Sequence, residues 1–141
     1  MKLSELTTPK KKKVFLGGTC NESTWRDDLI KLLDIDYFNP VVDDWTEECY
    51  QEELKQRKIS DFVLYVITPK MTGVYSIAEA TDDSCKRPNK TIFCVLSTDE
   101  DKSFDKGQLK SLEAVSKLVA SNGANVFYDL KSVAEFLNKQ G

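Results

Sequence analysis

The stretch DFVLYVITP, residues 61–69, holds an unbroken apolar run between Asp61 and Thr68. A continuous apolar run rich in β-branched and aromatic residues is typical of a strand covered on both faces in a parallel sheet. The next stretch, GVYSIAEA at residues 73–80, opens a segment of helical character. We therefore predict a buried strand at 61–69 and a helix at 75–86, which together form the repeating unit of an α/β fold.

The rest of the chain repeats this alternation. Strands are predicted at KVFLGG (13–18), YFNPVV (37–42), TIFCVL (91–96) and NVFYD (125–129), and helices at 23–35, 43–59, 108–123 and 130–140. Residues 97–107 form a polar connection. The order βαβαβαβαβα predicts a five-stranded, mostly parallel sheet with helices on both faces. We interpret residues 1–12 as a flexible N-terminal tail and residues 13–141 as one domain.

Composition and charge exclude several classes of partner. The 141 residues are 40% hydrophobic and 30% charged, which is ordinary for one globular domain. The net charge of −3 supplies no basic field for nucleic acid, no apolar run is long enough to span a bilayer, and the N-terminus lacks a signal-peptide core. We expect a cytoplasmic protein without nucleic-acid or membrane partners. The lysines at 10–13 form a solvated arm in this interpretation, with nucleic-acid binding or targeting as the alternative.

Cysteine and histidine usage limits the available chemistry. The four cysteines, Cys20, Cys49, Cys85 and Cys94, show no CxxC spacing, so no zinc or redox motif is present. Histidine is absent, which removes histidine-based triads and zinc sites. Acid–base or nucleophilic chemistry must therefore come from Asp, Glu, Cys, Tyr or Lys. We expect a reducing, intracellular setting, no metal and no organic cofactor.

Candidate ligand-binding residues follow the predicted strands, because ligands bind at the carboxyl ends of strands in parallel α/β sheets. Gly17, Gly18 and Thr19 permit close backbone approach by a ligand, and the next helix offers free N–H groups, although a plain turn explains them equally well. The group Asp43, Asp44 and Trp45 suits a base stacked on the indole and bound by a carboxylate. A helix cap with an anchoring tryptophan is the alternative.

Glu79 is the strongest single candidate for chemistry. It lies between Ala78 and Ala80, near Ile77, in what we predict to be the first turn of a helix at the carboxyl end of a strand. The helix dipole would keep a carboxylate ionised there while its apolar neighbours desolvate it. The alternative is a glutamate that only stabilises the helix start.

The order and spacing of four motifs resemble a known family. FLGG, NPVVDDW, SDFVLYVI and YSIAEA are similar to the nucleoside 2-deoxyribosyltransferase superfamily, in particular its small nucleoside 2-deoxyribosyltransferase-like branch, over about residues 13–100. The resemblance implies a flavodoxin-like three-layer sandwich. It also implies a reaction at the N-glycosidic bond of a 2′-deoxynucleoside. In that reaction a glutamate forms a glycosyl ester, and a second base or water then takes the sugar.

The resemblance also implies residue roles. The family's nucleophile lies 18 residues after the aspartate that opens the preceding strand, and Asp61 and Glu79 have this separation. Glu79 is therefore the expected nucleophile. A second family acid, which binds the sugar hydroxyls, matches Glu53 best, with Glu52 and Asp44 as alternatives. Such a pair makes chemical sense, because the departing base needs a proton donor.

Two positions depart from the family pattern. Phe15 stands where the transferases carry a tyrosine, and Gly73 stands where they carry an aspartate that manages the base's proton, with Tyr75 or Asp44 as possible replacements. The expected substrate-binding residues are Phe15, Gly17, Gly18, Thr19, Asp43, Trp45, Gly73, Tyr75 and Ser76. Besides a transferase, the pattern is compatible with a nucleoside or nucleotide hydrolase, a nucleotide-binding or sequestering module, or an NAD-type glycohydrolase. The family often completes its sites between subunits, so we expect a homo-oligomer.

Overall fold

The computed structural model describes residues 11–20 and 22–140, so most of the predicted tail lies outside the described residues. Five strands form one sheet, β1 (Lys13–Gly18), β2 (Asp36–Phe38), β3 (Phe62–Ile67), β4 (Thr91–Val95) and β7 (Asn125–Phe127). Their spatial order is β2-β1-β3-β4-β7 and every neighbouring pair is parallel. This is the flavodoxin-like strand order, and it confirms the predicted fold. The chain reverses direction across the sheet between β1 and β3.

Helices cover both faces of the sheet. They are α1 (Trp25–Ile30), α2 (Glu47–Ile59), α3 (Tyr75–Lys86), α4 (Lys106–Ser121) and α5 (Leu130–Gln140), with a single 3₁₀ turn at Pro88–Lys90. Alternate residues of β3 enter two separate cores, because side chains alternate across a strand. Leu64 and Val66 join the core under α1 and α5, whereas Val63 and Tyr65 join the core under α3 and α4. The result is the three-layer sandwich.

Several boundaries differ from the prediction. The helix predicted at 23–35 ends at Ile30, where tight turns from Leu32 N to Leu29 O and from Leu33 N to Ile30 O replace the helical ladder. The strand predicted at 37–42 stops at Phe38, two residues before Pro40, which has no N–H for the ladder. The strands predicted at 91–96 and 125–129 are also shorter.

The connection predicted at 97–107 as a polar loop contains two short antiparallel strands, β5 (Thr98–Asp99) and β6 (Lys102–Ser103). Helix α4 then begins at Lys106, earlier than predicted, because Asp105 and Gln108 form a reciprocal capping box. No helix in the described part of the chain is long and apolar enough to cross a membrane.

Candidate active site

Glu79 lies on α3, beside the edge of the sheet where the strand order reverses. The helix begins at Tyr75 with Val74 as its N-cap, so Glu79 lies in the second turn and the prediction of a first-turn position was wrong. The helix dipole acts mainly within the first turn and therefore does little for this carboxylate. The Glu79 side chain is 12% exposed and borders a cavity of about 200 Å³ that Arg57 and Tyr75 also line.

The electrostatic environment of Glu79 favours its protonated form. Burial raises its pKa to about 7, and repulsion from Glu53 and Asp83 acts in the same direction, while Arg57 opposes the rise. Desolvation disfavours the charged form of a carboxyl group, which explains the sign. Near neutral pH this side chain is therefore divided between a carboxylate, able to attack, and a carboxylic acid.

Arg57 of α2 is the cation that faces Glu79. Its Nη1 atom lies 3.5 Å from Glu79 Oε2, and its Nε and Nη2 atoms donate to the two oxygens of Asp83 at 3.2 and 3.1 Å. Nη2 also reaches Asp82 at 3.2 Å. The same guanidinium thus connects three carboxylates of α3, with its fork turned to the fully buried Asp83.

Glu53 lies on α2 one turn before Arg57. Burial raises the pKa of the Glu53 carboxyl, while a hydrogen bond from Trp45 and the charges of Arg57 and Arg26 oppose the rise. Because its charge also raises the pKa of Glu79, the two carboxyl groups are electrostatic neighbours. Glu53 further lines a cavity of about 320 Å³, which has an apolar wall formed by Phe38, Pro40 and Val42.

Two exposed aromatic side chains border the glutamate pair. Trp45 and Tyr75 are each 58% exposed. Tyr50 lies near both, because its ring centroid is 5.5 Å from that of Trp45, and burial together with the neighbouring Tyr50 raises the pKa of the Tyr75 phenol. Thr46 is the N-cap of α2 and accepts from Cys49 N at 3.2 Å. Trp45 is therefore not a buried anchor, and its face is available to a flat ligand.

A third cavity, of about 260 Å³, opens at the carboxyl ends of β1 and β3. Gly18, Thr19, Gly73, Tyr75 and Ser76 line it, among others. Gly18 has a φ of +121°, and a Cβ there would lie 2.1 Å from Val66 O, so the strand itself requires glycine. Tyr75 borders both this cavity and that of Glu79. The two cavities therefore adjoin along one helix.

Sequence comparison assigns the chain to a family. The model of the family described as "Nucleoside 2-deoxyribosyltransferase like" matches residues 11–98. The chain belongs to the nucleoside 2-deoxyribosyltransferase-like family. No curated protein matches the chain. The matched range contains β1 to β4, the lining residues of all three cavities and the glutamate pair.

The structure separates the family-based candidates for the second acid. Asp43 and Asp44 lie exposed in the turn before α2, and Glu52 accepts a hydrogen bond from Gln56 at 2.8 Å. Of the three candidates Glu53, Glu52 and Asp44, Glu53 carries the charge that raises the pKa of Glu79. Asp61, which served to count the spacing, accepts from Lys13 N at 2.9 Å at the opposite edge of the sheet.

Within this family member, the two departures have different surroundings. Phe15 is buried and stacks on Phe38, with ring centroids 5.9 Å apart. Its other neighbour is Tyr65 of β3, at 6.2 Å. The Tyr65 hydroxyl donates to Asp83 at 2.5 Å, so a phenol does reach the carboxylate network, from the adjacent strand. A Cβ at Gly73 would meet no atom within 4 Å, so packing does not require glycine there.

Gly17 and Thr19 have structural partners that the sequence did not reveal. A Cβ on Gly17 would lie 2.6 Å from the Tyr65 ring, so this glycine makes room for the ring. The Thr19 hydroxyl accepts from Thr68 N at 3.0 Å, and its N–H donates to Val66 O at 2.9 Å. Thr19 therefore joins the ends of β1 and β3 while it also lines the cavity.

Sequence reasoning missed two buried arginines. Arg57 lies four residues after Glu53, and this i,i+4 spacing was a usable signal. Arg26 of α1 donates to the carbonyls of Leu16 and Thr19 at 3.0 and 2.7 Å, and so fixes the turn after β1. No motif marks Arg26, because its partners are backbone oxygens.

Proposed function

We propose that this protein cleaves the N-glycosidic bond of a (deoxy)nucleoside or nucleotide and passes the sugar to water or to another base. Glu79 is the nucleophile and Glu53 the proton donor. The observation that carries the proposal is the pair itself, two neighbouring carboxyl groups whose pKa values burial raises, beside an open cavity between α2 and α3. Two carboxyl groups with distinct surroundings are what glycosidic chemistry requires.

In the first step, a carboxylate oxygen of Glu79 bonds to the anomeric carbon and the C–N bond breaks. The electron pair of that bond goes to the base nitrogen, which takes a proton from the Glu53 carboxyl. Burial raises the pKa of the Glu53 carboxyl, because desolvation disfavours its anion, and this favours the acid form that donates the proton. Proton transfer of this kind contributes about 10² to 10⁴-fold to a rate.

In the second step, water or another base attacks the anomeric carbon of the ester. Its proton passes to the Glu53 carboxylate, and the electron pair of the broken ester bond returns to Glu79. The Arg57 guanidinium, 3.5 Å away, stabilises the carboxylate that leaves. Water as acceptor gives hydrolysis, and a base gives transfer.

Substrate binding follows from the surfaces that flank Glu79. Trp45 and Tyr75 present aromatic faces for the nucleobase, and aromatic stacking of a base contributes about 1–3 kcal/mol. The cavity lined by Gly18, Thr19 and Ser76 takes the sugar or its 5′ substituent. The exposed Asp43 and Asp44 remain candidates for contacts to base or sugar.

A nucleotide-binding or sequestering module is the second candidate. Two functional groups that the transferases carry are absent here, which favours this candidate. Phe15 lacks the hydroxyl of their tyrosine, and Gly73 lacks the carboxylate of their aspartate. A protein of this kind would keep the aromatic faces and the cavities and would leave the N-glycosidic bond intact.

The test is chromatography of 2′-deoxynucleosides, their monophosphates and NAD after incubation with the protein, with and without a second free base. Glu79→Gln runs alongside, and Glu135→Gln, an exposed glutamate on α5, is the matched control. The proposal predicts free base, or a new nucleoside, from the wild type and from Glu135→Gln only. Nicotinamide release would identify NAD-type chemistry. Tight binding of an intact nucleotide with no product would establish the binding module instead.

A further inference from the structure

Asp83 is the centre of a buried polar network behind Glu79. Its side chain is fully buried and accepts from the Tyr65 hydroxyl at 2.5 Å and from Arg57 Nε and Nη2 at 3.2 and 3.1 Å. Arg87 Nη1 donates to the same carboxylate. Every oxygen of Asp83 is thus occupied, as a buried charge requires.

The orientation of Arg57 follows from these bonds. Two of its three nitrogens face Asp83, and Nη1, at 3.5 Å from Glu79, is too far for a good hydrogen bond. Arginine and a carboxylate form their strongest contact through two parallel hydrogen bonds. Here Asp83 has that bidentate contact and Glu79 does not, although both acids lie on the same helix.

We infer that Asp83 is a positioning residue. By holding the fork of Arg57, it prevents a bidentate bridge between Arg57 and Glu79, and so leaves the Glu79 carboxylate free to react. The inference deepens the proposed function, and its catalytic consequence rests on that function. The claim that Asp83 controls the contact between Arg57 and Glu79 concerns the protein alone, so it can be tested without any substrate.

The direction of the effect follows from all the groups that face Glu79. They are Arg57 and Glu53 from α2, Tyr65 from β3, and Tyr75, Asp82 and Asp83 from α3 itself. Removing the charge of Asp83 removes a repulsion and also releases Arg57 toward Glu79. Both changes favour the Glu79 carboxylate over the acid.

The experiment is a ¹³C NMR titration of glutamate side-chain carboxyls, with Glu79 assigned from the Glu79→Gln spectrum. Asp83→Asn is expected to lower the titration midpoint of Glu79 by about one pH unit. Glu135→Gln, which removes an exposed charge on α5, is the control and should leave the midpoint in place. An unchanged or higher midpoint in Asp83→Asn would overturn the inference.

A double-mutant comparison separates orientation from simple repulsion. In an Arg57→Gln background, Asp83→Asn can remove only the repulsion, so its shift should shrink to less than half. An equal shift in both backgrounds would mean that Arg57 is not the intermediary. If Asp83→Asn does not fold, Arg57→Lys provides the test. The single ammonium of this lysine should bind Asp83 and leave Glu79 without its cation, so the titration midpoint of Glu79 should rise. An unchanged midpoint would contradict the inference.

Kinetics connects the geometry to the reaction. Asp83→Asn should shift the acidic limb of the pH–rate profile to lower pH. The maximal kcat of this variant should fall at least tenfold, because a bridged carboxylate is a poorer nucleophile. A structural defect alone would lower kcat without moving the limb. If no substrate is turned over by the wild type, the proposed function fails, and the NMR titration still decides the role of Asp83.

Discussion

The Arg57 guanidinium lies 3.5 Å from the Glu79 carboxylate, and both side chains are nearly buried, at 8% and 12% exposure. An ion pair in such surroundings stabilises a carboxylate strongly only if hydrogen bonds complete it. Here those bonds go to Asp83 instead. Glu79 therefore combines burial with incomplete pairing, which is the state that the proposed nucleophile requires.

The rate should depend on pH through Glu79. The nucleophile must be ionised, and burial raises its pKa to about 7, so kcat/KM should rise with pH toward pH 7. At higher pH it should fall again, because the proton donor Glu53 must be protonated. Below pH 6 it should fall about tenfold per pH unit, because the ionised fraction does so. The measurement is the initial rate of base release between pH 5 and 9 in buffers of constant ionic strength. A profile that is flat from pH 5 to 8 would exclude Glu79 as the group that titrates.

Stability should depend on pH in the opposite direction. A carboxyl whose pKa is raised on folding favours the folded state at low pH, and this contribution is lost as pH rises from the unfolded value of about 4.5 through 7. Glu79→Gln removes the cost of the buried charge. We expect this variant to be more stable than the wild type by about 1–3 kcal/mol at pH 8, with a smaller difference at pH 4.5. Urea unfolding at both pH values measures this, and a Glu79→Gln protein less stable at pH 8 would contradict it.

The choice of the second acid can be tested by comparing neighbours. Glu53→Gln should lower kcat by about 10² to 10⁴-fold, because the departing base loses its proton donor. Glu52→Gln is the matched control, since Glu52 is bonded to Gln56, and it should retain activity within about threefold. Steady-state rates at pH 7 decide between them. A larger loss in Glu52→Gln than in Glu53→Gln would reverse the assignment.

Gly17 and Gly73 differ in the space available for a side chain, and alanine substitution should reveal the difference. Gly17→Ala places a methyl group 2.6 Å from the Tyr65 ring and should destabilise the protein by about 1–3 kcal/mol. Gly73→Ala meets no neighbouring atom and should change the free energy of unfolding by less than about 0.5 kcal/mol. Denaturant melts of both variants are the measurement. Equal losses would mean that the Tyr65 ring is not held against Gly17.

The fold was predictable because its signals are local. The apolar run at 62–67 and the helix at 75–86 lie where the sequence pattern predicts them, and β1 matches KVFLGG fully. Glu79 is the fifth residue of that helix, so its second-turn position already followed from the predicted helix bounds, and the first-turn prediction was a misplacement within a correctly predicted helix. Helix α1 ends early although the apolar pattern continues, because tight turns at Leu32 and Leu33 replace the helical hydrogen bonds.

The carboxylate network was not predictable from one sequence. Arg57 and Asp83 are 26 residues apart, and Tyr65 and Asp83 are 18 apart, so only the packing of α2 and α3 on β3 brings them together. The proposed pairing of Glu53 with Glu79 comes from the family pattern rather than from periodicity. In contrast, the role of Gly17 depends on a ring in the neighbouring strand, and strand order is needed to see it.

The most direct test of the nucleophile is mass spectrometry of the covalent intermediate. The protein is quenched with acid during turnover of a 2′-deoxynucleoside or its monophosphate and digested, and the peptide that contains residues 75–86 is sequenced. The account predicts one glycosyl unit esterified to Glu79 in the wild type, and none in Glu79→Gln. Release of free base with no adduct on this peptide, continuing undiminished in Glu79→Gln, would contradict it.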